Sequence, residues 1–376
     1  MGPKILLGPE HPKPRGRLHK DPEQMRALVL HAYSASNLGD GLLVRETLEL
    51  VREACGGKVD ITVLASHPET FTGLNVKVLN SAPTKRGFNL KYLKTLWRMD
   101  GFDLVVAVGG GYIRAGTVVE ALKAGVIHGP QLVAAALRTR KAVYLPQSVG
   151  PARFGTRPIM SALLSRQHAV WVRDNRSQGQ FPLQNVQRTP DLAILGMQRS
   201  TLPFDSSGNI VLSVRYIRGA LTQPLRSLHG LLGVVDSYVQ SSVASNNDVP
   251  AVNELAPQRI LSTNEFMENP DKAKVVIAVR LHAALMAIAA GHYVIHLAYE
   301  RKGFGAFQDL GIPEFVFNVN SFDAEAVAAL AYRLQTDVDF RTDYHSRVLS
   351  TRSSSDAHQA DILASLQESM SAQLVQ

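Results

Sequence analysis

A chain of 376 residues has the length of two domains, and 45% hydrophobic against 19% charged residues excludes a disordered or fibrous protein. One cysteine, Cys55, excludes an intrachain disulfide framework and a CxxC metal or redox site, and reads as a small packing residue in a reducing compartment. The net charge of +8 is lopsided, with 26 Lys+Arg against 14 Asp+Glu in residues 1–195 and 14 against 18 in residues 196–376. The first half is therefore expected to meet an anion: nucleic acid, anionic lipid or a phosphorylated small molecule.

Residues 1–25 carry five prolines and only a short apolar run. They read as a flexible tail, not a secretory signal. No run of about 18 apolar residues follows, so a cytoplasmic protein is expected, soluble or peripheral at the inner face of a membrane.

From residue 26 onward, strand-length apolar runs alternate with helical patterns, as in parallel βαβ units. Strands are predicted at 27–32, 60–65, 104–108, 142–145 and 169–172, with helices at 40–54, 89–99 and 117–137. The polar, turn-rich residues 196–208 read as a linker. Strands then recur at 210–214, 275–279 and 293–298, with helices at 225–242, 281–290 and 303–310. Two amphipathic helices, 324–335 and 357–372, close the chain. The expected fold is α/β: a Rossmann-like domain over 26–195, a second over 209–340, and a helical segment over 341–376, with the two domains facing across a cleft. Open α/β sheets bind ligands beyond the carboxyl ends of their strands, so the informative residues are those just after each strand.

After the first strand comes Ser36-Asn37-Leu38-Gly39-Asp40, where Gly39 permits a tight turn and Asn37 and Asp40 suit a helix N-terminus that attracts anions. After 104–108 come Gly109, Gly110 and Gly111, which let the backbone approach a ligand or another strand closely. They form neither GxGxxG nor a P-loop. Gln147-Ser148-Val149-Gly150-Pro151 follows the next strand, and Arg173-Asp174 with Ser177 the one after. In the second half, Ser213-Val214-Arg215 ends one strand and Arg280-Leu281-His282 another; Tyr299 and Lys302 follow a third. Arginines at strand ends suit carboxylate or phosphate, and histidine is the usual acid or base near neutral pH. His292 and His296 read as packing or surface residues.

Taken in order, and with Pro190-Asp191-Leu192-Ala193, these segments resemble the polysaccharide pyruvyltransferase family over roughly residues 27–312. The resemblance implies a glycosyltransferase-B-like architecture and an enzyme that moves the pyruvyl group of phosphoenolpyruvate onto two hydroxyls of a sugar, in a surface polysaccharide or its lipid-linked precursor. A ketal forms and phosphate leaves. His282 is the expected general acid and Asp40 the base or charge stabiliser. Asn37, Gly109, Gly110, Gly111, Arg173, Arg280 and Lys302 are expected around phosphoenolpyruvate. No metal or cofactor is expected beyond that donor. The expected partners are the donor, a sugar or lipid-linked oligosaccharide acceptor and an anionic membrane surface, but not nucleic acid. Two alternatives stay open: a nucleotide-sugar-dependent glycosyltransferase of the same architecture, and a non-catalytic glycan-assembly partner.

Overall fold

The computed structural model describes residues 25–85, 87–139, 141–197, 205–206, 208–243, 246–267 and 272–371. The predicted tail, apart from Met25, and most of the predicted linker lie outside them.

The first domain is built on seven parallel strands: β1 (Met25–Ala32), β2 (Val59–Ala65), β3 (Lys77–Asn80), β4 (Leu104–Ala107), β5 (Val143–Gln147), β6 (Ala169–Val172) and β7 (Val186–Arg188). Their spatial order is β3-β2-β1-β4-β5-β6-β7. The inner strand β1 sets Leu28 opposite Thr62 on one side and Val105 on the other. Helices cover both faces, so the central strands are buried throughout and read as continuous apolar runs rather than alternating ones. The edge strands β3 and β7 are short and partly polar, and no apolar run announces them.

The second domain repeats the plan with β8 (Val211–Ser213), β9 (Asp236–Tyr238), β10 (Ile260–Leu261), β11 (Val275–Ala278), β12 (Tyr293–Ala298) and β13 (Val316–Asn318), ordered β10-β9-β8-β11-β12-β13. The stretch 216–274 holds both β9 and β10. The predicted helix over 225–242 ends early: the helix is Gln223–Leu232, and Gly233 follows with φ 69°, a left-handed residue that terminates it and releases the chain into β9. The predicted helix over 117–137 is likewise divided. It runs Val118–Ile127, restarts at Gly129 with Pro130 in its first turn, and widens to a π-helix over Ala135–Thr139.

The apolar core on one face of the first sheet (Val29, Val63, Val106, Leu145) is continuous with that of the second domain. The opposite face, with Leu28, Leu30, Val105 and Tyr144, forms a separate core. The C-terminal segment is three helices, Ala324–Thr336, Val338–Ser350 and Arg352–Ser371. The last of them leaves the second domain and packs on the first, against helix Leu38–Ala54, β4, β5 and helix Leu192–Leu195. Cys55 is half-buried there, its Sγ 3.8 Å from Met370 Sδ. Elsewhere the domains are clasped by Arg188, at the end of β7, whose Nη2 donates to both carboxylate oxygens of Asp309 at 2.6 and 2.8 Å.

Candidate active site

The carboxyl ends of the two sheets face each other across a cleft of about 980 Å³. All nine residues expected from the sequence, Asn37, Asp40, Gly109, Gly110, Gly111, Arg173, Arg280, His282 and Lys302, line it.

Contact between the domains explains the first motif. Asn37 caps helix Leu38–Ala54 by accepting from Gly39 N–H, and its Nδ2 donates to Asp40 Oδ2 at 2.8 Å. Gly39 is not in a left-handed turn, as its place in the motif suggests, but in the helix itself. It is glycine because His282, from the second domain, lies on it: a Cβ there would stand 2.3 Å from His282 Nδ1. Asn37 also bridges to Ser241 of the second domain. The Asn37–Asp40 and Arg280–His282 motifs are thus one site assembled from two domains.

The three glycines have three reasons. A Cβ on Gly109 would meet Pro146 O at 2.6 Å, so close strand packing alone requires glycine there. Gly110 has φ 151°, which side-chain-bearing residues rarely adopt. Gly111 lies beneath the Arg173 guanidinium, a Cβ there being 3.6 Å from Nη2.

Neither predicted arginine is a free cation. Arg173 is buried, donates through Nη1 to Asp191, and through Nε to Ser148 Oγ at 3.1 Å. Arg280 is held by Asp248 through two bonds, Nε to Oδ2 at 2.5 Å and Nη2 to Oδ1 at 2.7 Å, and Nη2 also donates to Asn246 O at 2.8 Å. A donor-binding role for Arg280 is therefore limited to what this pairing leaves over. Asp174 and Ser177 are structural: Asp174 caps the helix after β6, and Ser177 Oγ accepts from Val149 N–H at 2.9 Å. Lys302 Nζ sits 2.9 Å from Glu300 and dominates the charge felt by Asp40.

Arg215 is a further cation of the cleft. Its guanidinium lies over the Tyr299 ring, 5.1 Å from the centroid, and Nη1 donates to Tyr299 OH at 3.2 Å. Its Nε is buried without a partner. The signal was present in Ser213-Val214-Arg215, since Arg215 leaves β8 as Arg280 leaves β11. On the first-domain wall, His31 stacks on Tyr112 at 4.5 Å, contacts His128 Nδ1 at 3.2 Å and Tyr144 OH at 3.3 Å. His31 has φ 66° at an irregularity in β1, a backbone state that a histidine in an apolar run does not advertise.

Burial sets the protonation states. His282 is pushed down to about 4, first by burial and then by Arg173, Lys302 and Arg280, with Asp191 acting the other way. With that shift it is neutral at pH 7 in the free protein, so an acid role requires it to gain a proton when the cleft is filled. Its Nε2 is buried without a partner. Asp40 is pushed up to about 6 by burial, against the pull of Lys302, the Asn37 hydrogen bond, Arg173 and Arg280.

The Asp40 shift has a stability consequence. A carboxyl raised from 3.8 unfolded to about 6 folded favours the fold fully below pH 3.8, and that advantage is lost as pH rises through 6. Asp40→Asn removes the buried charge and keeps an acceptor for Asn37. It is expected to stabilise the protein at pH 7 by up to about 3 kcal/mol, with no gain at pH 3.5, while abolishing activity. Thermal unfolding at the two pH values checks this, and an unchanged or lowered midpoint at pH 7 refutes it.

A model of the family described as polysaccharide pyruvyl transferase matches residues 37–301, from the helix cap of the first motif to just past the Tyr299 strand end. The chain belongs to the polysaccharide pyruvyl transferase family. No curated protein sequence matches it. Among solved structures, the OtsA apo structure superposes with TM-score 0.53 and 13% identity, covering 91% of this chain and 99% of that one. A structure described as trehalose-6-phosphate from E. coli bound with UDP-2-fluoro glucose gives 0.50 and 11% over 91% and 99%. Acinetobacter baumannii MurG gives 0.49 and 13% over 92% and 99%. At such identities the likeness concerns fold alone, and the fold is of the glycosyltransferase-B type. Within it Asn37, Asp40, Gly109–Gly111, Ser148–Pro151, Arg173, Arg215 and Arg280–His282 line one cleft, and Asp191 stands behind it as the partner of Arg173.

Proposed function

We infer that this pyruvyl transferase takes phosphoenolpyruvate as donor and closes a pyruvyl ketal on two hydroxyls of a sugar. The observation that carries this is the charge of the cleft. Eight cations line it; Arg114, Arg173, Arg188, Arg280 and Lys302 are each paired with a carboxylate, while Arg176, Arg215 and Arg301 have no carboxylate partner among the described residues. A small donor bearing both a carboxylate and a phosphate suits that excess.

In this reading Arg173, Arg215 and Lys302 hold the donor's anionic groups, and the unpartnered Nε2 of His282 meets its reacting end. A bound trianion beside His282 raises its pKa, because a nearby negative charge favours the imidazolium. The acid is thus charged by its own substrate. His282 then delivers a proton to the methylene carbon. A sugar hydroxyl oxygen bonds to C2 while Asp40 receives its proton, the bond from C2 to the phosphate oxygen breaks, and phosphate leaves. A second hydroxyl adds at C2 and loses its proton, closing the ketal. Of the two hydroxyl protons, one replaces that given to the methyl group and the other leaves with phosphate.

Purified protein with phosphoenolpyruvate is expected to release inorganic phosphate only when a suitable sugar acceptor is present, without added divalent metal. The acceptor should gain the mass of a pyruvyl ketal. Consumption of a nucleotide sugar instead, with phosphoenolpyruvate untouched, would assign the cleft to glycosyl transfer.

A further inference from the structure

We propose that the helices Leu90–Trp97 and Val118–Ile127 of the first domain form a docking face for an anionic lipid bilayer. Both helices carry an apolar stripe at helical spacing, which ordinarily turns toward a core. Here the stripes turn outward. Leu90, Leu93 and Trp97 stand at i, i+3 and i+7, with Trp97 69% exposed. Val118, Leu122 and Val126 stand at i, i+4 and i+8, with Leu122 65% exposed, and no residue of that helix is buried. Helix Leu90–Trp97 satisfies its own domain through the opposite face, by Tyr92 and Leu96. Helix Gly129–Ala134, which continues from helix Val118–Ile127 after His128, contacts helix Leu90–Trp97 and so brings the two stripes into one region of the first domain.

Charge selects the occupant. Residues 85–141 contain ten Lys+Arg and three Asp+Glu. Lys91, Lys94 and Lys123 lie among the apolar side chains, and the Arg138 guanidinium covers the Trp97 ring at 4.4 Å from its centroid. Glu120, the acid of helix Val118–Ile127, is turned away to Arg114 and to the N–H of Gly116. Apolar stripes interleaved with basic residues and a tryptophan match the boundary between acyl chains and anionic headgroups. Among the described residues no helix is long and apolar enough to cross a membrane, so this contact is peripheral. Helix Val118–Ile127 lies between two cleft-lining residues, Arg114 before it and His128 after it. A lipid-borne acceptor held at this face is therefore beside the cleft mouth.

The face stands apart from the donor assignment, and its test needs no substrate. Full-length protein is mixed with vesicles of phosphatidylcholine and phosphatidylglycerol in equal parts, or of phosphatidylcholine alone, and floated on a density gradient. Flotation is expected with the anionic vesicles and is expected to weaken with salt. Leu122→Glu with Val126→Glu should lower partition at least tenfold. Lys91→Gln and Lys94→Gln should each lower it roughly fivefold, the equivalent of about 1 kcal/mol. All four positions are solvent-exposed, so thermal midpoints should not move. Failure to float with either vesicle, or flotation that the variants leave intact, overturns the proposal. So does a dimer in analytical ultracentrifugation that the Glu double variant converts to monomer, since a second copy would then be the occupant.

Discussion

Replacing His282 by glutamine is expected to lower turnover by roughly 10²–10⁴-fold while leaving the fold and the affinity for phosphoenolpyruvate nearly intact. Glutamine fills the space over Gly39 and still hydrogen-bonds, but carries no transferable proton. The helix does not depend on His282 for a cap, since Arg280 occupies that position with no side-chain cap bond. What the substitution removes is the buried, unpartnered Nε2 of a cleft-lining imidazole. A second readout separates acid catalysis from mere contact. In the free protein the imidazole titrates near 4, so NMR of that ring should show its pKa rising when donor binds, toward the range where it is protonated at working pH. A soluble variant with near-normal turnover, or an imidazole whose pKa ignores the donor, ends the acid assignment.

Arg280→Ala is expected to cost about 3–5 kcal/mol of stability in addition to any loss of donor binding, because it strands Asp248 as a buried, unpaired carboxylate. Arg173→Ala strands Asp191 in the same way. Alanine variants therefore confuse architecture with recognition. The double variant Arg280→Met, Asp248→Leu replaces the pair by apolar residues of similar bulk, a change that is often neutral or stabilising where the single one is not. Equilibrium unfolding of single and double variants measures the coupling. If the double variant folds like the parent and binds phosphoenolpyruvate as tightly, Arg280 is scaffolding; if it folds and loses the donor, the guanidinium also recognises. A single Arg280→Ala as stable as the parent would show that Asp248 carries no buried charge.

The residues that reveal themselves in sequence are those that chemistry places at the ends of apolar strands. β1, β4, β5 and β11 are buried on both faces, so their runs of Val, Leu, Ile and Ala are conspicuous and the functional residues after them easy to place. Edge strands such as β7, with the sequence Val-Gln-Arg, need only one buried residue and leave no pattern. The partners of the arginines are hidden for another reason. Asp191 and Asp248 lie 18 and 32 residues from the guanidinium each one neutralises, and nothing in the spacing ties them together. A strand-end arginine therefore looks unpaired until the loops are in place. Gly39 shows a related blindness: the sequence marks a glycine, but the imidazole that requires it arrives from the other domain, 243 residues later.

The return of helix Arg352–Ser371 to the first domain has a mechanical consequence. The polypeptide passes from one lobe to the other twice, through the segment after Leu195 and again ahead of this final helix, which is seated against β4 and β5. The far end of the chain thus fastens the lobe where the fold began, and together with the shared apolar core and the Arg188–Asp309 clasp it keeps the imidazole of one lobe seated on the glycine of the other.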